Sequence, residues 1–384
     1  MRKILAILVV FLLLINVGAI SMVQAQTAHE IAMDVAITKG IDYLNTLQAV
    51  DGHVGANYYV GETALYVLAL LDHNVSANDP HVLNATNYIL SQVQADGSIY
   101  SGNDPNYQTA GAIMALEALE NSTLLPTISN AANYVLSSQA PDGSFGYSAG
   151  VGSGDLSNSQ YSILGLKAAE LAGWTPPSST PYTKLANWVK TQQNADGGYG
   201  TYLTASSGAG TSAALICLSL SGVALNDPSI QGGITWLKNN FSYTTNPGYD
   251  WLGAYYYYLY GAMKALTFCG ITSQVGGVMD PTTAANPGVA GDRGWYFDFT
   301  EHLIVTQYAS GDWPAIWSFG HANEVAMAVL VLERSTVVAP PQTNPVGGEI
   351  ISVNMLQLLA PYLLIALFAA AASGLLLRYR RRIT

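Results

Sequence analysis

Positive charge is scarce in this chain of 384 residues. Between positions 26 and 349 there are eight lysines and arginines against all 25 acidic residues. No basic stripe exists, so nucleic acid is excluded as a partner. Cysteine is nearly missing as well. Cys217 and Cys269 cannot make a disulfide framework. Each lies in an Ala/Leu-rich run, so they read either as two small buried residues or as a single bridge. Charged residues are only 10% of the chain. Tyr, Ala, Gly, Ser and Asn fill the surface instead, which says little about a ligand. Runs of uninterrupted apolar sequence are confined to the two ends.

At the first end, Arg2 and Lys3 precede an apolar stretch from Ile4 to Ile20, and Val23-Gln24-Ala25 follows. A short charged start, an apolar centre and small residues at the end make residues 1–25 a secretory signal peptide. At the other end, residues 355–377 are apolar and long enough to span a bilayer. Arg378, Arg380, Arg381 and Arg382 follow at once in the tail, residues 378–384. Cationic flanks stay in the cytoplasm, so the chain is expected to be a single-pass cell-membrane protein with its N-terminal part outside. Residues 336–354, with Ala339-Pro340-Pro341 and Gly347-Gly348, read as a linker. The folded part is then residues 26–335. In that compartment Asn74, Asn84, Asn121 and Asn240, each followed by the right triplet, would be glycan acceptors.

Within the folded part the sequence repeats. Tyr43…Asp51-Gly52 returns as Tyr88…Asp96-Gly97, Tyr134…Asp142-Gly143 and Trp188…Asp196-Gly197, with the aromatic always eight residues before the Asp. A worn copy runs from Trp236 to Gly248, and a sixth ends in Gln307-x-x-x-Gly311-x-Trp313. A period of roughly fifty residues marks stacked supersecondary units.

Each unit reads as two helices. The first is amphipathic: Ile37, Ile41, Leu44 and Gln48, or Val82, Ala85, Ile89 and Val93, fall on one face. The second is apolar nearly all round, as in Thr109–Leu119 and Thr211–Leu220. A helix without a wet face is buried on both sides. Alternating wet and buried helices therefore predict an outer ring around an inner ring. The Asp-Gly pair suits a tight turn, since Gly accepts positive φ. Val54, Ile99, Phe145, Tyr199 and Trp313, two residues past the Gly, can pack back on the helix just ended. The Gln three or four residues before the Gly can bond free carbonyls at that helix end. Ser98 and Ser144, in the turns, should be accessible.

Lys39-Gly40-x2-Tyr43-Leu44-x3-Gln48-x3-Gly52 and Gln307-x3-Gly311-x-Trp313 resemble the QW repeat of squalene and oxidosqualene cyclases. The resemblance covers about 300 residues and implies an all-α (α/α)6 toroid, as in the terpenoid cyclase and protein prenyltransferase superfamily. It does not carry the chemistry over. The Asp-x-Asp-Asp acid of class II cyclases is missing, and no two Asp residues are adjacent, so the Asp-rich diphosphate motif is missing too. The Cys-Gly-Glu-Gln of thioester toroids is also missing. Against the prenyltransferase zinc site, Asp250 and His321 match but Leu252 replaces the cysteine. No zinc and no other cofactor is expected, because a lost thiolate removes both ligand and mechanism.

If the inner helices all start at one end, their first turns surround one mouth. That rim should carry Glu62, Gln108, Gln160, Thr211, Asp250, Tyr255, His321 and Glu324. Ring closure would bring His321 and Glu324 near Glu62, as an acid–base cluster or as carboxylates favoured at helix N-termini. The four tyrosines from Tyr255 to Tyr258 point all round a helix, so some face the cavity and some the outer ring. Two functions follow. The leading one is a surface binding or scaffolding module for an external ligand or protein, with Gln108, Gln160, Asp250, Tyr255 and Tyr256 at the mouth. The alternative is a terpenoid-cyclase-like or carbohydrate-active enzyme using Glu62, Glu324 and His321.

Overall fold

The computed structural model describes residues 28–335, apart from 151, 202–204, 250–253, 272–293 and 317–319. The signal peptide, linker, apolar segment 355–377 and basic tail lie outside the described residues, as do Asp250 and Leu252. Among the described residues no helix is long and apolar enough to cross a membrane.

Among the described residues twelve α-helices alternate in six pairs. The outer members are α1 (Ala28–Thr46), α3 (Pro80–Ser91), α5 (Leu125–Ser137), α7 (Thr180–Thr191), α9 (Pro228–Asn239) and α11 (Trp295–Thr306). The inner members are α2 (Tyr59–Asp72), α4 (Pro105–Ala118), α6 (Leu156–Leu171), α8 (Gly208–Leu220), α10 (Tyr255–Phe268) and α12 (His321–Leu332). Each inner helix packs on the next, and α12 packs on α2, so the ring closes. Burial follows the sequence pattern. Every residue of α8 is buried, whereas α3 buries only Val82, Ala85, Tyr88 and Ile89. Four outer helices, α3, α5, α7 and α9, start with Pro in the first turn, where its missing N–H costs no bond. Cys217 and Cys269 are both buried, free thiols.

The repeated turn joins units to one another, which its sequence does not reveal. The Gln side chain bonds the turn, as expected, but its second bond reaches the next outer helix. Gln48 donates to Gly52 O and His81 O, at 3.2 and 2.9 Å. Gln139 donates to Gly143 O and Pro181 O, and Gln193 to Gly197 O and Ser229 O. Gln307 donates to Gly311 O and, across the closing seam, to Ala36 O, both at 2.8 Å. The glycines serve the same junctions. Gly52, Gly143 and Gly311 have φ of 99°, 103° and 98°. A Cβ on them would lie 2.2, 2.4 and 2.2 Å from the carbonyl oxygens of Asn84, Lys184 and Lys39 on the next outer helix. A third element comes from the inner helix. Thr63, Thr109, Ser159 and Thr211 accept from the N–H of Val54, Ile99, Phe145 and Tyr199, at 2.9, 2.9, 3.0 and 3.0 Å. Ser98 and Ser144 are fully buried, not accessible, and their hydroxyls bond the carboxylates of Asp96 and Asp142.

Unit two carries Val93 where four of the other units carry Gln. By the register of its neighbours, a Gln there would reach Gly97 O and Thr127 O. Val93→Gln is expected to stabilise the ring by about 1 kcal/mol. Gln139→Leu should cost about 2 kcal/mol, because two carbonyls lose their partner. Denaturant midpoints of the two variants check this; equal and negligible shifts would mean the Gln bonds contribute nothing to stability.

At the far end of the ring sits a buried cation. Lys264 is fully buried and donates to Ser335 O at 2.7 Å. Burial pushes its ammonium down to about 7, with Asp72 opposing.

Candidate functional site

The first turns of the inner helices enclose a cavity of about 200 Å³. Among the described residues eight tyrosines line it: Tyr58, Tyr107, Tyr147, Tyr161, Tyr249, Tyr255, Tyr256 and Tyr257. Small residues make the room, with Gly61 on α2, Gly111 on α4 and Ala209 on α8. The rings continue into one another. Tyr107 and Tyr161 have centroids 4.8 Å apart, and Tyr161 and Tyr257 lie nearly parallel at 6.5 Å.

The hydroxyls are largely turned into the protein. Tyr255 donates to Tyr243 O at 2.6 Å, Tyr256 to Pro314 O at 3.0 Å and Tyr257 to Gln160 Oε1 at 2.6 Å. Tyr249 pairs with Thr201 at 2.8 Å. Burial raises the hydroxyls of Tyr107, Tyr161 and Tyr257, so all three stay neutral. Ring carbon, more than oxygen, therefore faces the cavity. The expected division of the four-tyrosine run holds: Tyr255, Tyr256 and Tyr257 line the cavity, while Tyr258 is buried with its hydroxyl on Ser242 O.

The polar rim differs from the expected one. Gln108 lines the cavity, but its amide serves the backbone: it donates to Ser101 O and Asn103 O and accepts from Val60 N. Gln160 does not line the cavity; it lies in the core behind Tyr257. Thr211 bonds the Tyr199 turn instead of facing the mouth. Asp250 lies outside the described residues.

Of the two expected carboxylates, Glu324 and Glu62, one lines the cavity and the other does not. Glu324 lines the cavity. Behind it, His321 Nδ1 lies 3.4 Å from Glu324 Oε2 and His321 Nε2 lies 2.9 Å from Asp312 Oδ2. The Glu324 bond, with Asp312 on the other nitrogen, raises the imidazole above its ordinary value. Glu62 is only 1% exposed and does not line the cavity, unlike its neighbours Gly61 and Leu65. It fills a slot left by two glycines, Gly55 and Gly320, both at φ 101°. A Cβ on either would fall 1.2 or 1.9 Å from its carboxyl oxygens. Its Oε2 accepts from Ala56 N at 2.8 Å, and its Oε1 has no partner. Burial pushes this carboxyl up to about 7, against the N–H groups of Ala56, Tyr58 and Asn57. Closure of unit six on unit one thus brings Gly320 against Glu62, while His321 bonds Glu324 and Asp312.

Tyr58, Tyr107, Tyr147, Tyr161 and Tyr249, and the carboxylate of Asp104, were missed from sequence. The available signal was a tyrosine at or near the start of several inner helices. A second cleft, of about 370 Å³, shares Tyr255 and Tyr256 as a wall and includes His302. Among the described residues no group of three or more His, Cys, Asp or Glu is placed to hold a metal ion.

The prenyltransferase alpha-alpha toroid domain matches residues 46–250. No curated protein matches the chain in sequence. Among solved structures, a variant of the type II terpene cyclase MstE from Scytonema, in complex with merosterolic acid A, has a TM-score of 0.54 at 13% identity. The match covers 80% of this chain and 97% of that one. Another variant of the same cyclase, in complex with geranylgeranyl dihydroxybenzoate, has a TM-score of 0.51 at 12% identity, covering 80% and 98%. At this identity the likeness is one of fold.

Proposed function

The chain belongs to the prenyltransferase alpha-alpha toroid family, and on that premise we propose that it is a binding module, held outside the cell membrane by residues 355–377, that takes a small external ligand into its tyrosine-walled mouth. One observation carries the choice of binding over catalysis. The carboxyl that burial keeps protonatable, Glu62, is sealed away from the cavity, and of the two described carboxylates that line the cavity, Asp104 and Glu324, the second is paired with a raised imidazole. Among the described residues this does not assemble a proton donor aimed at a substrate. The cavity itself is mostly aromatic with a few fixed polar groups, which is the usual make-up of a ligand site. The membrane tether rests on the apolar run and its four trailing arginines, and the external side on the signal peptide.

The second reading is an acid–base enzyme. It is favoured by the line from Asp312 through His321 to Glu324, which would let a proton reach a cavity carboxylate. The test is mass spectrometry of small molecules extracted from the full chain purified in detergent, wild type beside Gly61→Phe. A Cβ on Gly61 meets Gln108 at an ordinary 3.5 Å, so the backbone tolerates the change while the ring enters the cavity. A compound near 1:1 in the wild type and lost in the variant is expected. Equal recovery from both, or from neither, ends the cavity reading. A compound recovered in altered form after loading would favour the enzyme.

A further inference from the structure

We propose that the mouth cavity recognises an organic monocation, a quaternary or tertiary ammonium group. The inference rests on the binding reading above and names the ligand class for that site.

Three features of the lining agree. First, aromatic ring surface dominates, because the hydroxyls of Tyr249, Tyr255, Tyr256 and Tyr257 are engaged by protein partners. Ring faces carry negative potential and attract a cation placed over them. Second, the charges in the lining are of one sign. Asp104 and Glu324 are there, and no Lys, Arg or His is among the described lining residues. Asp104 opens α4 but its side chain caps no helix N–H. Third, two buried oxygens of lining residues, Asn323 Oδ1 and the Tyr147 hydroxyl, have no hydrogen-bond partner and can each turn a lone pair to a cation. The Gln108 N–H groups, which would suit an anion, are already given to carbonyls.

Helix N-termini favour anions. At four of the six inner helices a first-turn N–H is answered within the protein. Val60 N is bonded by Gln108, Asn106 N by Tyr147 O, Asn158 N by Asp155 and Ala209 N by Asn246. The size is also suitable. A trimethylammonium group of four heavy atoms takes on the order of 120 Å³ at about a water's share of 30 Å³ each, within the 200 Å³ of the cavity.

The experiment is isothermal titration calorimetry of the full chain in lipid nanodiscs with choline and with neohexyl alcohol, its isostere in which carbon replaces the charged nitrogen. Choline is expected to bind at least ~10-fold more tightly than the alcohol. Asp104→Asn keeps a residue that tolerates the left-handed φ of 54° and should weaken choline several-fold with no effect on the alcohol. Tyr161→Phe should keep choline binding and Tyr161→Leu should lose about 3- to 10-fold. A free amine and a lipid headgroup share this chemistry. Phosphocholine, which adds negative charge beside the two carboxylates, should bind more weakly if the source is a free amine, and equally if it is a headgroup. Equal binding of choline and the alcohol, or no response to Asp104→Asn and Tyr161→Leu, overturns the cation and leaves the cavity as a binding site. Undiminished choline binding by Gly61→Phe places the site elsewhere, and the cavity reading falls with it.

Discussion

Gly311→Ala is expected to open the ring at its closing seam and to cost at least about 4 kcal/mol. Two terms add. Gly311 has φ 98°, which costs an L-residue about 1–2 kcal/mol. The added Cβ would also lie 2.2 Å from Lys39 O on α1, a contact that backbone atoms relieve only by moving the helix. That movement would draw Ala36 O away from Gln307. Gly102 supplies the control. Its φ is 81°, but nothing lies within 4 Å of an added Cβ, so Gly102→Ala should cost only the backbone term. Denaturant unfolding followed by circular dichroism measures both. Similar costs for the two variants would show that close approach at the seam does not hold the ring together.

Glu62→Gln should change how stability depends on pH. The folded carboxyl titrates at about 7, raised chiefly by burial, and the unfolded one near its ordinary value of about 4.3. A raised carboxyl contributes stability that is fully present below the unfolded value and is lost as pH rises through the folded one. Wild type should therefore lose up to about 3 kcal/mol from this residue between pH ~4.5 and ~8. The amide cannot titrate. Lys264, lowered to about 7, and Glu333, raised by burial to about 8, titrate nearby but are common to both proteins. The difference between variant and wild type isolates Glu62. It should be small near pH 5, and at pH 8 the variant should be the more stable by about 1–3 kcal/mol, a Tm higher by several degrees. A difference that stays flat across this range would mean that the buried carboxyl does not titrate there. Ligand capture by the variant should be unchanged, since Glu62 does not line the cavity.

The sequence by itself determined the ring. Helix faces, unit boundaries and Asp-Gly turns depend on local chemistry: an apolar stripe at helical spacing, a glycine that accepts positive φ, an Asp that bonds the N–H two residues on, as Asp142 does with Ser144. Six such units in series leave little freedom in how they stack. The tyrosine run on α10 and the placement of Glu324 at the mouth were legible for the same reason.

Only the tertiary structure decided what the repeated residues join and which carboxyl faces the cavity. Gln307 is a bond between units because its second acceptor, Ala36, lies 271 positions away in sequence. The mouth is harder to read than the ring, because neighbouring positions on a helix point about 100° apart at 3.6 residues per turn. Gly61 therefore lines the cavity while Glu62 turns to the seam and fills the space left by Gly55 and Gly320. Thr211 turns likewise from the mouth to the Tyr199 backbone. Composition fixes which residues are available near a mouth, but the rotation of each helix against its two neighbours fixes which of them a ligand meets.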